Sequence, residues 1–451
     1  MHPEDLGDPD LTSVLHRDLH ASYPEAVSAQ GSFIRTAQGR EVLDAAAGAA
    51  VTNLGHGRPE IVEAMVEQLR RVHFAHTSTW TTAPQEELAH RLASLAPPGL
   101  SRAFFPSGGS ESMETALKLA RRYWTEREGP DSPRALVVGR QHSYHGATLG
   151  AMGVGDDARR AHFTPMLTDH PRAGACACRA DEAPGEVLPC RAGCAEGIAA
   201  AIEAAGPERV MAVAVEPVVG AALGAMPAGD GYLARVREIC DAYDVLLIAD
   251  EVMTGFGRTG RMFAVEHEGV TPDLLVGGKG LGAGYHPIGT VLVAERIVAA
   301  IRAGSGALQH GFTYSGSPVG CAAGLAVLDL IEEHGLVDQV VARGEQLGAH
   351  LHALRAHPHV TATRGLGLMR GLALSRPDGA PLPASLRATA LLRQHAWDEG
   401  LVVYPGRGLT DHVLLAPPLT IAAEEVDLLA ERLDRALART EEALAAASRG
   451  A

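Results

Sequence analysis

Lysine is almost missing from this chain of 451 residues: of 39 basic residues only two, Lys118 and Lys279, are lysine, and arginine fills the rest. Arginine replaces a surface lysine freely. It cannot replace an amine that must lose its proton, because a guanidinium stays protonated and is a poor nucleophile. Other absences narrow the function further. No apolar run approaches the roughly 18 residues that span a bilayer, and the opening stretch MHPEDLGDPDLTSVLHRD is acidic, without the basic and apolar regions of a signal peptide. The expected location is the cytoplasm, with no membrane partner. No polybasic block interrupts a net charge of −15, so nothing drives association with nucleic acid, and small-molecule partners are expected. Six cysteines in a chain this long are too few for a disulfide scaffold.

What is present is an ordinary globular composition, with 46% apolar and 21% charged residues. From about Ser101, β-rich apolar runs alternate with helical patterns: ALVVGR at Ala135, VMAVAVEP at Val210, VLLIADEV at Val245, DLLVGG at Asp273 and IGTVLVAE at Ile288. Continuous apolar strands between amphipathic helices imply an α/β core with a mostly parallel sheet covered on both faces. The helix beginning near Ser110 places Met113, Ala116, Leu117, Ala120 and Tyr123 on one face, and Lys118 is expected to pair with Glu114 one turn back. The expected division is a large α/β domain over 76–330, a smaller α+β domain over 331–451 ending in a surface-packed helix, and an N-terminal segment over 1–75 that joins the smaller domain.

The stretch DLLVGGKGLGAGYHPIG, Asp273 to Gly289, allows two readings. Gly278, Gly280 and Ala283 fit the glycine pattern of a dinucleotide turn, but such a turn must open a helix, and here Pro287 and the following strand leave no room for one. The other reading makes Lys279 an imine-forming lysine, and the chain supplies what a lysine-bound pyridoxal phosphate demands. Ser107, Gly108, Gly109 and Ser110 lie at the mouth of a helix, where free N–H groups bind phosphate. Asp250 ends a buried strand, the edge where open α/β sheets place ligands, and an aspartate there keeps a ring nitrogen protonated. Its neighbour Glu251 fits the role of capping the next turn. Val252 and, after the strand ALVVGR, Tyr144 with His145 are placed to flank the ring.

These pieces, together with Glu-Pro-Val at Glu216, the run DEVMTGFGRTG and FTYSG at Phe312, resemble in order and spacing the class III pyridoxal-phosphate aminotransferases, most closely their ω-aminotransferase branch, from about Tyr23 onward. The resemblance implies a fold type I homodimer with active sites shared between subunits. It makes Lys279 the Schiff-base lysine, Asp250 the ring-nitrogen partner, Tyr144 and Val252 the ring-flanking pair, Gly109 and Ser110 the phosphate cradle, and Glu216 a residue close to the cofactor. Thr313 is implied to reach the phosphate from the neighbouring subunit. The implied reaction moves an amino group between an amine or amino acid and a keto acid or aldehyde. Racemases, an aminomutase and a decarboxylase share the same cofactor residues, so the motifs leave those alternatives open, with a non-catalytic cofactor-binding regulator as a remote one.

Two positions depart from the family pattern: Met253 stands where many relatives have a glutamine, and Ser107-Gly108 replaces an asparagine-serine pair. Trp80 falls where the family lines the substrate entrance. Arg407, between Gly406 and Gly408 and before Asp411-His412, resembles a mobile arginine that binds substrate carboxylates. CACRADEAPGEVLPCRAGC, with Cys176, Cys178, Cys190 and Cys194, is expected to form a surface excursion with reduced thiols and no metal, zinc being the alternative.

Overall fold

The computed structural model describes residues 12–179, 187–188 and 190–449. Seven strands, β1 (Leu100–Phe104), β2 (Leu136–Arg140), β3 (Arg172–Ala173), β4 (Val210–Val215), β5 (Leu246–Asp250), β6 (Leu274–Gly277) and β7 (Thr290–Ala294), form one sheet in the order β1-β7-β6-β5-β4-β2-β3. β3, β2, β4, β5 and β6 pair in parallel, and β7 runs antiparallel to both β6 and β1. The reversal follows from the connection over 278–289, which holds only a 3-10 turn, Lys279–Leu281, where a parallel return needs a crossover element. β4, β5 and β6 are buried at every position, as strands covered on both faces must be.

The helix Gly109–Glu128 lies on this sheet through Met113, Ala116, Leu117, Ala120, Tyr123 and Trp124, and the Trp124 indole N–H donates to the Met211 carbonyl at 2.9 Å. Its polar side differs from the sequence expectation. Glu114 does not pair with Lys118; its Oε1 accepts the N–H groups of Gly150 and Ala151 at 2.9 and 3.3 Å, in the first turn of the helix Leu149–Val154. Those N–H groups have no partner within their own helix, so they hold a carboxylate more firmly than an exposed ammonium does. Lys118 instead places Nζ 5.5 Å from the Phe312 ring centre.

Two smaller sheets draw the chain ends together. Ala26–Gln30, Phe33–Thr36 and Glu41–Asp44 form an antiparallel meander, and Leu401–Val402 adds to it in parallel alongside Glu41–Asp44. Val360–Leu366 and Met369–Leu374 form a hairpin continued by Asp411–Leu415 and Tyr404–Arg407. The last helix, Ala423–Arg449, buries Val426, Leu429, Leu433, Ala436, Leu437 and Leu444. The cysteine-bearing segment is not wholly a surface excursion. Cys176 and Cys190 are 1% and 2% exposed, packed in the main core as small apolar side chains, while residues 180–186 and 189 and the Cys178 side chain lie outside the described residues. Among the described residues no group of histidine, cysteine or acidic side chains is disposed to hold a metal ion.

Arg258 ties these parts to one another. Its guanidinium is fully buried and donates to Asn53 Oδ1 at 2.7 Å, to the Leu368 carbonyl at 3.2 Å and to the Pro417 carbonyl, so one side chain of the segment after β5 holds the N-terminal part, the hairpin and the stretch after Asp411–Leu415. Burial pushes its pKa down to about 9. Replacing Arg258 by methionine leaves these acceptors unpaired away from water. A loss of at least about 1–3 kcal/mol is expected, the cost of one stranded buried acceptor, read as a lower urea midpoint; an unchanged midpoint would contradict this role.

Candidate active site

Every strand of the parallel set ends at the same edge, and the loops leaving that edge supply the site. After β1 the chain turns at Gly108 into the helix Gly109–Glu128, whose first N–H groups have no intrahelical partner. Ser107 N–H donates to Glu111 Oε2 at 2.8 Å, and Ser110 Oγ accepts the Ala147 N–H at 3.0 Å, fixing this mouth against the loop after β2. Glycine is required at 109, since a Cβ there would lie 2.7 Å from Val252 Cγ1. Tyr144 and His145 follow β2, Glu216 follows β4, Asp250 ends β5 and Lys279 follows β6. Lys279 has φ +38°, a left-handed backbone that a non-glycine residue adopts only when its surroundings impose it.

Gly109, Ser110, Tyr144, His145, Glu216, Asp250, Val252 and Lys279 all line one cavity of about 140 Å³, joined there by Gly146, Val218 and Met253. Asp250 is buried; its Oδ2 lies 2.8 Å from His145 Nδ1 and its Oδ1 accepts the Val252 N–H at 3.1 Å. A carboxylate at Nδ1 places a proton on that nitrogen. The other ring nitrogen, His145 Nε2, is buried and has no hydrogen-bond partner among the described residues, and the same holds for Glu216 Oε2. Burial pushes the Glu216 carboxyl up to about 7, against the opposing pull of His145 and Arg140. Burial likewise pushes Lys279 down to about 8, although Asp250 and Glu216 favour its charged form. Glu251 serves elsewhere: fully buried, it accepts the Val265 N–H at 2.8 Å and the Thr254 hydroxyl, closing the loop behind the site.

This donor set fits pyridoxal phosphate. An amine poised near neutrality, a buried carboxylate, a helix mouth open to an anion, and two stranded buried polar atoms that call for a polar ligand share one enclosed space. Arg140 contributed no signal to the motif reading. It is fully buried, donates from Nη2 to the Glu216 carbonyl at 2.6 Å, and so holds the backbone that carries Glu216.

Three residues are not gathered here. Trp80 is 65% exposed and Thr313 is exposed, and neither lines this cavity within one chain. Arg407 pairs by its backbone with Asp411, and its side chain lies outside the described residues. Its neighbours Gly406 and Gly408 line a wider cavity of about 1010 Å³ that reaches Lys279, Met253, Tyr404 and Arg159.

A Lys279 pKa of about 8 sets a pH dependence with a definite sign. Below that value Nζ is protonated and inert; above it the neutral amine attacks an aldehyde. Capture of added pyridoxal phosphate, fixed by borohydride and located by peptide mapping, is expected at Lys279 with a rate that rises through pH 8 and is absent in Lys279→Ala. Label on Lys118, or a rate that rises only near the ordinary lysine value, would contradict the assignment.

Comparison with known proteins agrees with this geometry. The model of the family described as aminotransferase class-III matches residues 17–437. An omega-aminotransferase of Caulobacter vibrioides is 37% identical over 429 residues, covering 92% of this chain and 93% of the relative. Among solved structures, an (S)-enantioselective omega-transaminase from Thermomicrobium roseum superposes with a TM-score of 0.90 at 32% identity, covering 98% of this chain and 99% of that one. An amine transaminase from an uncultivated Pseudomonas species, in a PLP-bound form, gives a TM-score of 0.86 at 31% identity over 97% of this chain and 98% of that one. The seven-stranded sheet, the lysine at its carboxyl edge and these matches lead to one conclusion: the chain belongs to the class III aminotransferases, pyridoxal-phosphate-dependent enzymes of fold type I.

Proposed function

We propose that the protein moves an amino group from an amine or amino acid to a keto acid or aldehyde, with Lys279 and Asp250 as its catalytic residues. The observation that carries this reading is the meeting of a lysine depressed to about 8 and a buried carboxylate in one cavity at the carboxyl edge of the sheet. Pyridoxal phosphate, when bound, supplies an aldehyde for the amine and a ring that takes up the electron pair left by a broken C–H bond. Gly109 and Ser110 hold its phosphate, Tyr144 and Val252 flank its ring, and Glu216 and His145 complete the polar wall. Asp250 holds a proton at the ring nitrogen. Lys279 Nζ, in its neutral form, would take the proton from the substrate carbon and give it back to the carbon on the other side of the bridging nitrogen. Met253 offers no hydrogen-bond donor, so nothing at that position competes for the cofactor's phenolic oxygen.

A homodimer with shared sites is the assembly that fits the exposed residues. Phe74, Trp80 and Tyr314 are exposed aromatics, the first and last 5.9 Å apart between ring centres, and Tyr314 follows exposed Thr313 in the chain. In this reading a second copy covers them, Thr313 reaches the partner's phosphate site and Trp80 borders the substrate entrance. Arg407, beside the wider cavity, takes the carboxylate of acidic partners. A net charge of −15 and, among the described residues, no helix long and apolar enough to cross a membrane support a cytoplasmic enzyme.

Incubation with an amine and pyruvate is expected to yield alanine and the matching carbonyl product; with a chiral amino acid as donor, loss of its stereochemistry or release of its carboxylate as carbon dioxide without alanine would mark a racemase or decarboxylase instead. Asp250→Asn is expected to lower kcat by about 10²–10⁴-fold, the usual scale for losing a positioned proton-holding group. Arg407→Ala should lower kcat/KM for a keto acid by roughly 10- to 150-fold and leave a neutral amine unaffected. Equal losses for both substrate types would remove the carboxylate role.

A further inference from the structure

The wider cavity takes one wall from the loop after Glu216 and another from the strand Tyr404–Arg407. Ala221 and Ala222 stand on the first side, Tyr404, Pro405, Gly406 and Gly408 on the second, and Lys279 lines the same space. Val218, earlier in that loop, lines the cofactor cavity. The two walls meet through bare backbone: a Cβ at Gly406 would fall 2.5 Å from the Ala221 carbonyl oxygen, and one at Gly408 2.0 Å from that of Ala222. A seam of alanine and glycine has no side chain of its own to hold it.

His412 supplies one. Its backbone pairs with Gly406, its ring is fully buried, and its Nε2 lies 2.7 Å from the Ala221 carbonyl oxygen. Arg364 Nε donates to the Gly224 carbonyl at 3.0 Å, so the far end of the loop is held by the hairpin Val360–Leu374. The other ring nitrogen, Nδ1, lies 3.0 Å from the Thr410 carbonyl oxygen. Both nitrogens therefore face acceptors, and a neutral imidazole has one N–H to give. Burial brings the His412 pKa down to about 4, although both carbonyls favour the charged ring, so near neutral pH only one N–H is present. Thr410 already accepts the Gly408 N–H at 3.1 Å, whereas the Ala221 oxygen accepts no backbone N–H among the described residues. The shorter contact is also the one that lacks another donor, which puts the proton on Nε2.

We propose that His412, as its Nε2–H tautomer, is a positioning residue for substrate binding: it seats the loop 220–224 against the strand Tyr404–Arg407 and so fixes the shape of the cavity that leads to Lys279. The proposal rests on the transaminase reading above and adds a residue that meets neither substrate nor cofactor. Without this N–H the Ala221 oxygen loses its donor, and the seated loop loses its advantage over other arrangements. Substrate then finds a smaller seated fraction, which raises KM and leaves the bound complex, and with it kcat, as before.

The test compares the wild type with His412→Phe, His412→Asn and His412→Gln, each loaded with pyridoxal phosphate. Glutamine reaches as far as Nε2 and keeps an N–H there, asparagine ends at the depth of Nδ1, and phenylalanine has no donor. With the amine donor saturating, KM for pyruvate is expected to rise roughly 2- to 12-fold in His412→Phe and His412→Asn, the scale of one net hydrogen bond, with kcat within about twofold and His412→Gln near the wild type. Hydrogen exchange of the peptide spanning 218–227 reads the seat without turnover, and is expected to be faster in the first two variants and restored in His412→Gln. Unchanged KM or unchanged exchange in His412→Phe, or a glutamine variant no better than the asparagine one, overturns the proposal. Faster exchange along the whole chain with kcat falling as KM rises shows a role in overall stability alone, and overturns it too. Nitrogen NMR of the wild-type histidines needs no variant to fold: a proton on His412 Nδ1 in place of Nε2 contradicts the seat. If the wild type yields no alanine from pyruvate, the transaminase reading fails, while exchange and NMR still decide whether His412 holds the loop.

Discussion

Asp250 is a carboxylate taken almost out of water, 6% exposed, at the last position of a strand buried along its whole length. Such a group is costly unless something nearby satisfies it. Here His145 meets one oxygen and the Val252 N–H the other, so the acid is held with a defined orientation toward the cavity. The parallel sheet makes this possible. Because β2, β4, β5 and β6 end at one edge, the loops that carry Tyr144 and His145, Glu216, Asp250 and Lys279 converge without any long excursion of the chain.

The buried charges around this edge depend on one another. Lys279 is driven toward its neutral form by burial, while Asp250 and Glu216 draw it back, and the balance leaves the amine at about 8, below the ordinary lysine value. Glu216 is pushed up by burial and restrained by His145 and Arg140, so its protonation is balanced as well. Arg140 supports the backbone that bears Glu216, and Arg258 closes the structure behind the site by joining three distant segments. Glycines allow the close approach this needs: a Cβ at Gly280 would fall 2.2 Å from Asn53 Nδ2, the amide of the side chain that Arg258 also holds.

Much of this was legible in the sequence because the relevant signals are local. Apolar runs such as VMAVAV and LLIAD announce covered strands, Pro287 excludes a helix after Lys279, and near-absence of lysine draws attention to position 279. Signals that depend on three-dimensional competition were not legible. The spacing of Glu114 and Lys118 suits an ion pair, but a nearby helix mouth, distant in sequence order, takes the carboxylate. The glycine- and proline-rich look of the cysteine segment hides two thiols in the core. Arg159 sits in DDARRAHF, a stretch with no periodic or motif signal, and only the fold brings it against Tyr144. Trp80 and Thr313, which the motif pattern assigns to the site, are exposed on this chain and do not line its cavity.

The central claim is that Asp250 is oriented to hold a proton on the nitrogen of the cofactor ring. Nitrogen NMR of the protein loaded with pyridoxal phosphate labelled at that atom tests it most directly. A protonated ring nitrogen in the wild type, and an unprotonated one in Asp250→Asn at the same pH, is the result this account predicts. An unprotonated nitrogen in the wild type, or the same signal in both proteins, would contradict it.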